Sequence, residues 1–193
     1  SLAALTSAAM LATVSGSMPK GLGPISASPD SFNKMRFRPG NAMMGDDGAG
    51  PYLADKLQAA PLPGWIHIDG GIAPENVVYK VRELQPARVV LVDAAEIGEK
   101  AGTLQVIPPE TIAEMFIFST HNMPLNFLID ELKTFVPEVI FVGVQPAIVA
   151  FSFPMTEMVS EAMDYLYQHL DAARDTGLLI DKLDQWNIAN AKR

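Results

Sequence analysis

Short runs of β-branched residues alternate with longer amphipathic segments from residue 64 onward. The runs WIHID (65–69), RVVLVD (88–93) and EVIFVGV (138–144) predict strands, and GTLQVI (102–107), in which apolar and polar residues alternate more, predicts an edge strand. The runs at 88–93 and 138–144 are almost continuously apolar, which is typical of parallel strands covered on both faces. The pattern therefore predicts a parallel sheet whose strands are joined by crossover helices.

Three segments around these strands carry apolar residues at helical spacing. These stripes are Val77, Val81 and Leu84 in residues 74–84; Leu125, Leu128, Ile129 and Leu132 in residues 122–132; and Val159, Ala162, Met163, Leu166 and Leu170 in residues 156–170. Pro51 suits the first turn of a further helix, because its missing N–H is not needed there. We therefore predict an α/β fold of three layers, with a twisted, mostly parallel five-stranded sheet and helices on both faces.

The first 39 residues fit this fold less readily. A doubly wound sheet needs a buried strand before its first helix, and MRFRP, directly before Gly40, is a poor strand because arginines alternate through it and a proline ends it. AAMLATV (8–14) is a better strand, which leaves the Gly-, Pro- and Ser-rich residues 15–39 as a long inserted loop. The predicted organisation is an N-terminal segment (1–39), a main domain (40–172) and a polar C-terminal tail (173–193).

Composition narrows the possible partners. The 193 residues, 49% of them hydrophobic, can bury one substantial core, and the net charge of -8 argues against nucleic acid or an anionic membrane as the main partner. Because there is no cysteine, any metal must be held by nitrogen and oxygen. The apolar N-terminal run has no basic residue before Lys20, and no run approaches the ~20 apolar residues of a membrane helix. We expect a soluble, cytoplasmic monomer.

The stretch GNAMMGDDGAGP (40–51) combines four glycines with two adjacent carboxylates, Asp46 and Asp47. Glycine-rich loops before helices usually bind phosphate, but two negative charges and no P-loop lysine favour a cation here. Ligands of an open parallel sheet bind outside the carboxyl ends of the strands. Asp47 follows the predicted first strand, Asp93 ends the run at 88–93, and His121 directly precedes a predicted helix. Two carboxylates and one imidazole at three strand ends suit a first-row divalent ion.

Each of these residues also has a plainer interpretation. GDDG could be only a turn, Asp93 could cap a helix, and His121 could bond a backbone carbonyl. Their convergence on one edge of the sheet favours the functional interpretation. Three other candidates are predicted to be structural or exposed: His67, His169, and the DTG triplet at 175–177, which copies the signature of pepsin-like aspartic proteases but lies between helical segments.

Four segments together resemble the maturation endopeptidases of nickel-iron hydrogenases: GNAMMGDDGAGP, IDGGIAPEN, VVLVDAAE and IFSTHNMPLNFLIDEL. The similarity covers about residues 40–170 and is greatest to the type that processes the large subunit of hydrogenase 3. The resemblance implies a hydrolase, an aspartyl-type endopeptidase that removes a short C-terminal extension from the large-subunit precursor once nickel has been inserted. That precursor is the partner we expect.

The resemblance also implies a set of site residues. The family's nickel ligands fall on Asp47, Asp93 and His121, and Asp47 and Asp93 are also the candidate catalytic carboxylates. The nickel is expected to arrive with the precursor and to serve as the recognition element, and no organic cofactor is expected. The candidate substrate-binding residues are Asp46, Gly48, Gly70, Gly71 and Asn122.

The sequence departs from the family upstream of the motif. The family runs a hydrophobic strand directly into the GN of the motif, whereas MRFRP intervenes here. Two alternatives therefore stay open: a protein that keeps the nickel site but no longer cleaves and acts as a checkpoint in hydrogenase assembly, and another metal-dependent hydrolase on the same fold. Lys34, Arg36 and Arg38 could bind an acidic precursor surface, but we favour the interpretation that they are solvated.

Overall fold

The two nearly continuous apolar runs form the longest strands of the sheet, β3 (Arg88–Ala94) and β5 (Glu138–Val144). The computed structural model describes residues 8–13, 45–68, 74–112, 125–150 and 152–193. β3 and β5 pair in parallel, and successive residues of β3 enter two different core clusters, with Val90 on one face and Leu91 on the other. Both faces of these strands are covered, which explains why neither run alternates.

One sheet contains five strands in the order β2-β1-β3-β5-β4, where β1 is Ala9–Thr13, β2 is Trp65–Ile68 and β4 is Leu104–Ile107. β1 is antiparallel to both of its neighbours, and β4 is antiparallel to β5. β2, β3 and β5 therefore run in one direction, and β1 and β4 run in the other. The α/β fold, the five-stranded sheet and the edge position of β4 are confirmed, and the sheet is mixed.

Helices cover both faces of this sheet. One face carries α1 (Ala49–Ala59), α5 (Glu157–Gln168) and α6 (Thr176–Asn190), and the other carries α2 (Pro74–Leu84), α3 (Pro109–Ile112) and α4 (Leu125–Lys133). The predicted apolar stripes are confirmed as core, except that Leu84 is only partly buried. Within the described part of the chain, no helix is long and apolar enough to cross a membrane.

The first strand lies where the sequence predicts it, but it runs antiparallel to β3. β1 confirms the strand at 8–14, whereas residues 15–39, with MRFRP, lie outside the described residues. The sequence predicted that the carboxyl end of this strand lies at the same edge of the sheet as Asp47 and Asp93, and this prediction is wrong. The amino end of β1 pairs with the end of β3, Ala9 opposite Val92, while the Thr13 hydroxyl accepts a hydrogen bond from the Arg88 N–H at the start of β3. The carboxyl end of β1 therefore lies at the edge of the sheet opposite Asp93.

The predicted polar tail is part of the packed structure. A 3-10 segment (Leu170–Arg174) leads into α6, whose Leu179 and Leu183 are buried in the same core cluster as α1 and α5. The Asp175 carboxylate accepts a hydrogen bond from the Leu178 N–H at 2.9 Å, so the DTG triplet begins a helix. α6 also carries apolar residues that are exposed, and for this reason its periodicity in the sequence is weak: Leu178, Ile180 and Ile188.

Candidate functional site

The GDDG of the glycine-rich motif forms a 3-10 turn, Gly45–Gly48, at the carboxyl edge of β3 and β5. Gly45 has a φ of +64°, and a Cβ at this position would lie 2.3 Å from the Ile148 carbonyl oxygen, so only glycine fits. The Gly45 N–H donates to the Phe153 carbonyl at 2.8 Å, and the Asp46 N–H donates to the Ile148 carbonyl at 2.7 Å. The turn is therefore attached to the chain segment that follows β5.

Asp46 uses its carboxylate for the same attachment. It is fully buried and accepts hydrogen bonds from the Ala147 N–H (2.7 Å), the Ile148 N–H (3.0 Å) and the Thr156 N–H (2.7 Å). The Thr156 hydroxyl lies 2.9 and 3.0 Å from its two oxygens. Thr156 is the N-cap of α5, where the helix dipole favours a negative charge. These contacts favour a positioning role for Asp46 over the substrate contact predicted from the sequence.

Asp47 lies in different surroundings, although it is the next residue. It is 9% exposed, and its Oδ1 is buried with no hydrogen-bond partner among the described residues. Burial raises the pKa of this carboxyl from 3.8 to about 6. A buried polar atom without a partner is costly and uncommon, and it marks a place where a ligand, ion or water completes the site.

Asp93 is the second acid that the structure places at this edge. It is 1% exposed near the end of β3, and its Oδ1 accepts a hydrogen bond from the Ala94 N–H at 2.8 Å. Alternation along β3 places Asp93 on the side of Leu91, which is the face covered by α2 and α4. α4 begins at Leu125, four residues after His121.

The remaining predicted site residues divide into two groups. Gly48 is described, and a Cβ built on it would meet no atom of the described residues within 4 Å, so none of these residues blocks this side of the turn. His121, Gly70, Gly71 and Asn122 lie outside the described residues, and their assignments stay predictions. The described residues alone contain no group of three metal-ligating side chains.

Sequence reasoning missed the segment after β5. Gln145 is 5% exposed, and its Oε1 accepts from the Ile97 N–H at 2.8 Å, which holds the loop after β3. Thr156, Ile148 and Phe153 contact the GDDG turn as described above. The available signal was position alone, because the segment follows a parallel strand at its carboxyl end, where sites form.

Two of the residues predicted to be structural have clear places in the fold. His169 stacks on Tyr165 with ring centroids 4.1 Å apart, and its Nδ1 lies 2.8 Å from the Tyr165 carbonyl oxygen. His67 is partly buried in β2, like its neighbour Ile66. His169 directly follows α5 at the end remote from Thr156 and the GDDG turn.

Known proteins share this fold and sequence. A family model described as HycI, hydrogenase maturation protease, matches residues 51–172, more than half of the chain. The hydrogenase 3 maturation protease of Escherichia coli K12 is 53% identical over 138 residues, which are 72% of this chain and 88% of that protein. The solution structure of the endopeptidase HycI from Escherichia coli matches with a TM-score of 0.63 at 53% identity, covering 72% of this chain and 88% of that one.

A more distant structure supports the same relationship. The crystal structure of a NiFe hydrogenase maturation protease HycI from Thermococcus kodakarensis matches with a TM-score of 0.56 at 25% identity, covering 75% of this chain and 88% of that one. Family model, sequence and structure agree, and the family model spans residues 51–172, which include β2 to α5. The chain therefore belongs to the hydrogenase maturation protease family.

Proposed function

We propose that this chain is an endopeptidase that removes the C-terminal extension of a nickel-iron hydrogenase large-subunit precursor after nickel insertion. The observation that carries the proposal is the Asp47 carboxyl, which is buried and whose Oδ1 has no hydrogen-bond partner among the described residues, at the edge of the sheet where β3 ends with Asp93 nearby. Such an atom destabilises the free protein. A substrate that supplies a metal or a polar group at this point would give the atom its partner.

The donor set suits the nickel of a precursor. Asp47 and Asp93 supply carboxylate oxygens, and His121 is proposed to supply an imidazole nitrogen. Oxygen and nitrogen donors with open positions are appropriate for a divalent first-row ion such as Ni²⁺. The nickel is part of the substrate in this proposal. The chain recognises the loaded precursor by binding this nickel, and the bound nickel holds the peptide beside the two carboxylates.

Asp47 is also suited to proton transfer. In the chain without nickel, burial raises the pKa of this carboxyl to about 6, so it is mostly ionised at neutral pH and binds a proton more readily than an ordinary aspartate. In the proposed reaction, water attacks the scissile carbonyl carbon, Asp47 accepts the proton of that water, and the proton passes to the leaving amine as the C–N bond breaks. Gly48 has no side chain on its open side, which lets the backbone of the precursor approach Asp47.

Incubation with two forms of the precursor tests this function. The purified chain is mixed with nickel-loaded and nickel-free large-subunit precursor, and loss of the extension is followed by mass spectrometry. Cleavage of the loaded form alone supports the proposal. Binding without cleavage supports the alternative of a non-cleaving checkpoint in hydrogenase assembly, and no interaction with either form overturns both.

Variants of the three proposed ligands test the site itself. Asp47→Asn, Asp93→Asn and His121→Ala are each expected to reduce cleavage of the loaded precursor by at least about a hundredfold, the lower end of what general acid–base catalysis contributes. Circular dichroism establishes that each variant is folded. Ile188→Ala, at a residue that is 75% exposed on α6, is the control and is expected to cleave normally. Wild-type cleavage by Asp47→Asn would overturn the proposed role of the motif.

A further inference from the structure

The segment between β5 and α5 comprises residues 145–156, and its described residues, 145–150 and 152–156, are attached to the GDDG turn by several hydrogen bonds. We call it the β5–α5 loop. The two N–H donations of Gly45 and Asp46, together with the Asp46 carboxylate, bind its backbone at Ala147, Ile148, Phe153 and Thr156. One residue, Ser152, has a φ of +64°, a conformation that costs energy for a non-glycine residue. The surrounding hydrogen bonds hold the backbone in this conformation.

This loop directs apolar side chains into solvent. Ile148 is 40% exposed and Phe153 is 51% exposed. Both carry backbone atoms that bond directly to the turn holding Asp47, so both lie close to the proposed site of cleavage. These two apolar side chains lie at the surface beside the site, on a backbone that is already ordered by its hydrogen bonds. An ordered backbone lowers the entropic cost of binding a partner.

The composition of the loop indicates what kind of partner fits. Residues 145–156 contain no charged side chain, in a chain whose net charge is -8. An uncharged apolar surface does not select an ion or a strongly charged segment, and it gains most from covering apolar side chains. The loop is hydrogen-bonded to the GDDG turn, so a polypeptide that reaches Asp47 would pass beside the loop.

We propose that Ile148 and Phe153 form the surface that receives an uncharged, apolar stretch of the precursor polypeptide next to the bond to be cleaved. The β5–α5 loop is the specificity-determining element, and Asp46 is the positioning residue that aligns it with Asp47. The inference rests on the proposed function, because it names the part of the substrate that this chain recognises besides the metal. A docking contact of this kind contributes to binding the substrate and not to the chemical step.

Serine substitutions with matched controls test the surface. Ile148→Ser is compared with Ile180→Ser, since these isoleucines are 40% and 41% exposed, and Phe153→Ser is compared with Leu178→Ser, at 51% and 55%. Both controls lie on α6, which begins at the opposite edge of the sheet, where Thr176 contacts Arg88. Ile148→Ser and Phe153→Ser are expected to raise KM for the nickel-loaded precursor by about fivefold to tenfold with little change in kcat. The controls are expected to match the wild type.

Further outcomes separate this inference from the proposed function. If the wild type cleaves and both loop variants keep the wild-type KM, the docking surface is overturned while the function stands. If the wild type binds the precursor without cleaving it, the same four variants are compared by affinity, and equal affinities overturn the surface. If the wild type neither cleaves nor binds, both proposals fail. A wild-type dimer in sedimentation that Phe153→Ser dissociates would assign the surface to a second copy of this chain and overturn the inference.

Discussion

Asp46 and Asp47 are adjacent acids with opposite surroundings. Asp46 is fully buried and accepts hydrogen bonds from three backbone N–H groups, whereas the buried Oδ1 of Asp47 has no partner among the described residues. The hydrogen bonds offset the cost of burying Asp46, whereas burial raises the pKa of Asp47 to about 6. Asp46 therefore attaches the turn to the rest of the fold, and Asp47 is the residue that we propose to act in the site.

Asp47→Asn is expected to stabilise the metal-free protein above pH 6. Because the folded-state pKa of about 6 lies above the ordinary aspartate value of 3.8, the folded state keeps the Asp47 proton to a higher pH than the unfolded state does, and stability falls as the pH rises between these values. The full penalty, up to about 3 kcal/mol, applies above pH 6, and Asn removes it. Urea unfolding with EDTA at pH 4 and pH 8 measures this: the gain is expected at pH 8 and is largely absent at pH 4.

Asp46→Asn is the matched comparison for this prediction. It has the same shape but replaces one acceptor oxygen with a donor among N–H groups, so a loss of about 1–3 kcal/mol is expected at pH 8. The two neighbouring variants should thus change the free energy of unfolding in opposite directions. If Asp47→Asn lowered the free energy of unfolding at pH 8, this would contradict the assignment of Asp47 as an acid whose burial destabilises the metal-free protein.

Two glycines of the motif are expected to respond differently to alanine. Gly45→Ala adds a Cβ 2.3 Å from the Ile148 carbonyl oxygen at a positive φ, so a loss of about 2 kcal/mol or more in unfolding free energy is expected. Gly48→Ala adds a Cβ that meets no described residue within 4 Å and is expected to change stability by less than about 0.5 kcal/mol. Cleavage should nevertheless fall in Gly48→Ala if the precursor backbone passes there. Denaturant unfolding and the cleavage assay separate the two effects.

At the scale of elements, α6 protects the exposed edge of the sheet. The Asn187 side chain accepts from the Leu104 N–H at 3.0 Å and donates to the Leu104 carbonyl at 2.8 Å, as a neighbouring strand would. The Trp186 indole N–H donates to the Gly102 carbonyl at 2.9 Å. Unpaired strand edges invite association with other chains, and α6 covers part of β4 against this.

Asn187→Ala is therefore expected to destabilise the fold and to promote association. The Leu104 N–H and carbonyl lose both partners, which is expected to cost about 1–3 kcal/mol. Urea unfolding measures the loss, and light scattering at rising protein concentration measures association. Ile188→Ala, on the same helix at 75% exposure, is the control and should be neutral in both measurements. If the two variants had equal unfolding free energies and equal association, α6 would not protect this edge of the sheet through Asn187.

At the scale of the whole molecule, hydrophobic periodicity predicted most of the fold. Burial can be predicted from the continuous apolar runs of β3 and β5 and from the apolar stripes of α2 and α4. The spacing of apolar residues within one element shows which of its faces are covered, and this spacing can be read from a short stretch of sequence. The direction of β1 is different, since a five-residue strand has the same pattern whichever way it runs. The Asp46 contacts and the β5–α5 loop were missed for a related reason: they join residues about a hundred positions apart, and the sequence carries no signal of such pairings.

Truncation of the N-terminus tests whether β1 is required for this sheet. β1 lies between β2 and β3, with Leu11 1% exposed and Met10 4% exposed, so its removal opens a gap and uncovers both core clusters. Burying each such side chain contributes about 1.5–3 kcal/mol, and the lost ladder adds to this, against about 5–15 kcal/mol for a typical domain. Deleting residues 1–14 is expected to abolish cooperative thermal unfolding. Deleting residues 1–7, which removes none of the described residues, is expected to preserve it. Equal melting of both truncations would mean that another segment can fill the position between β2 and β3.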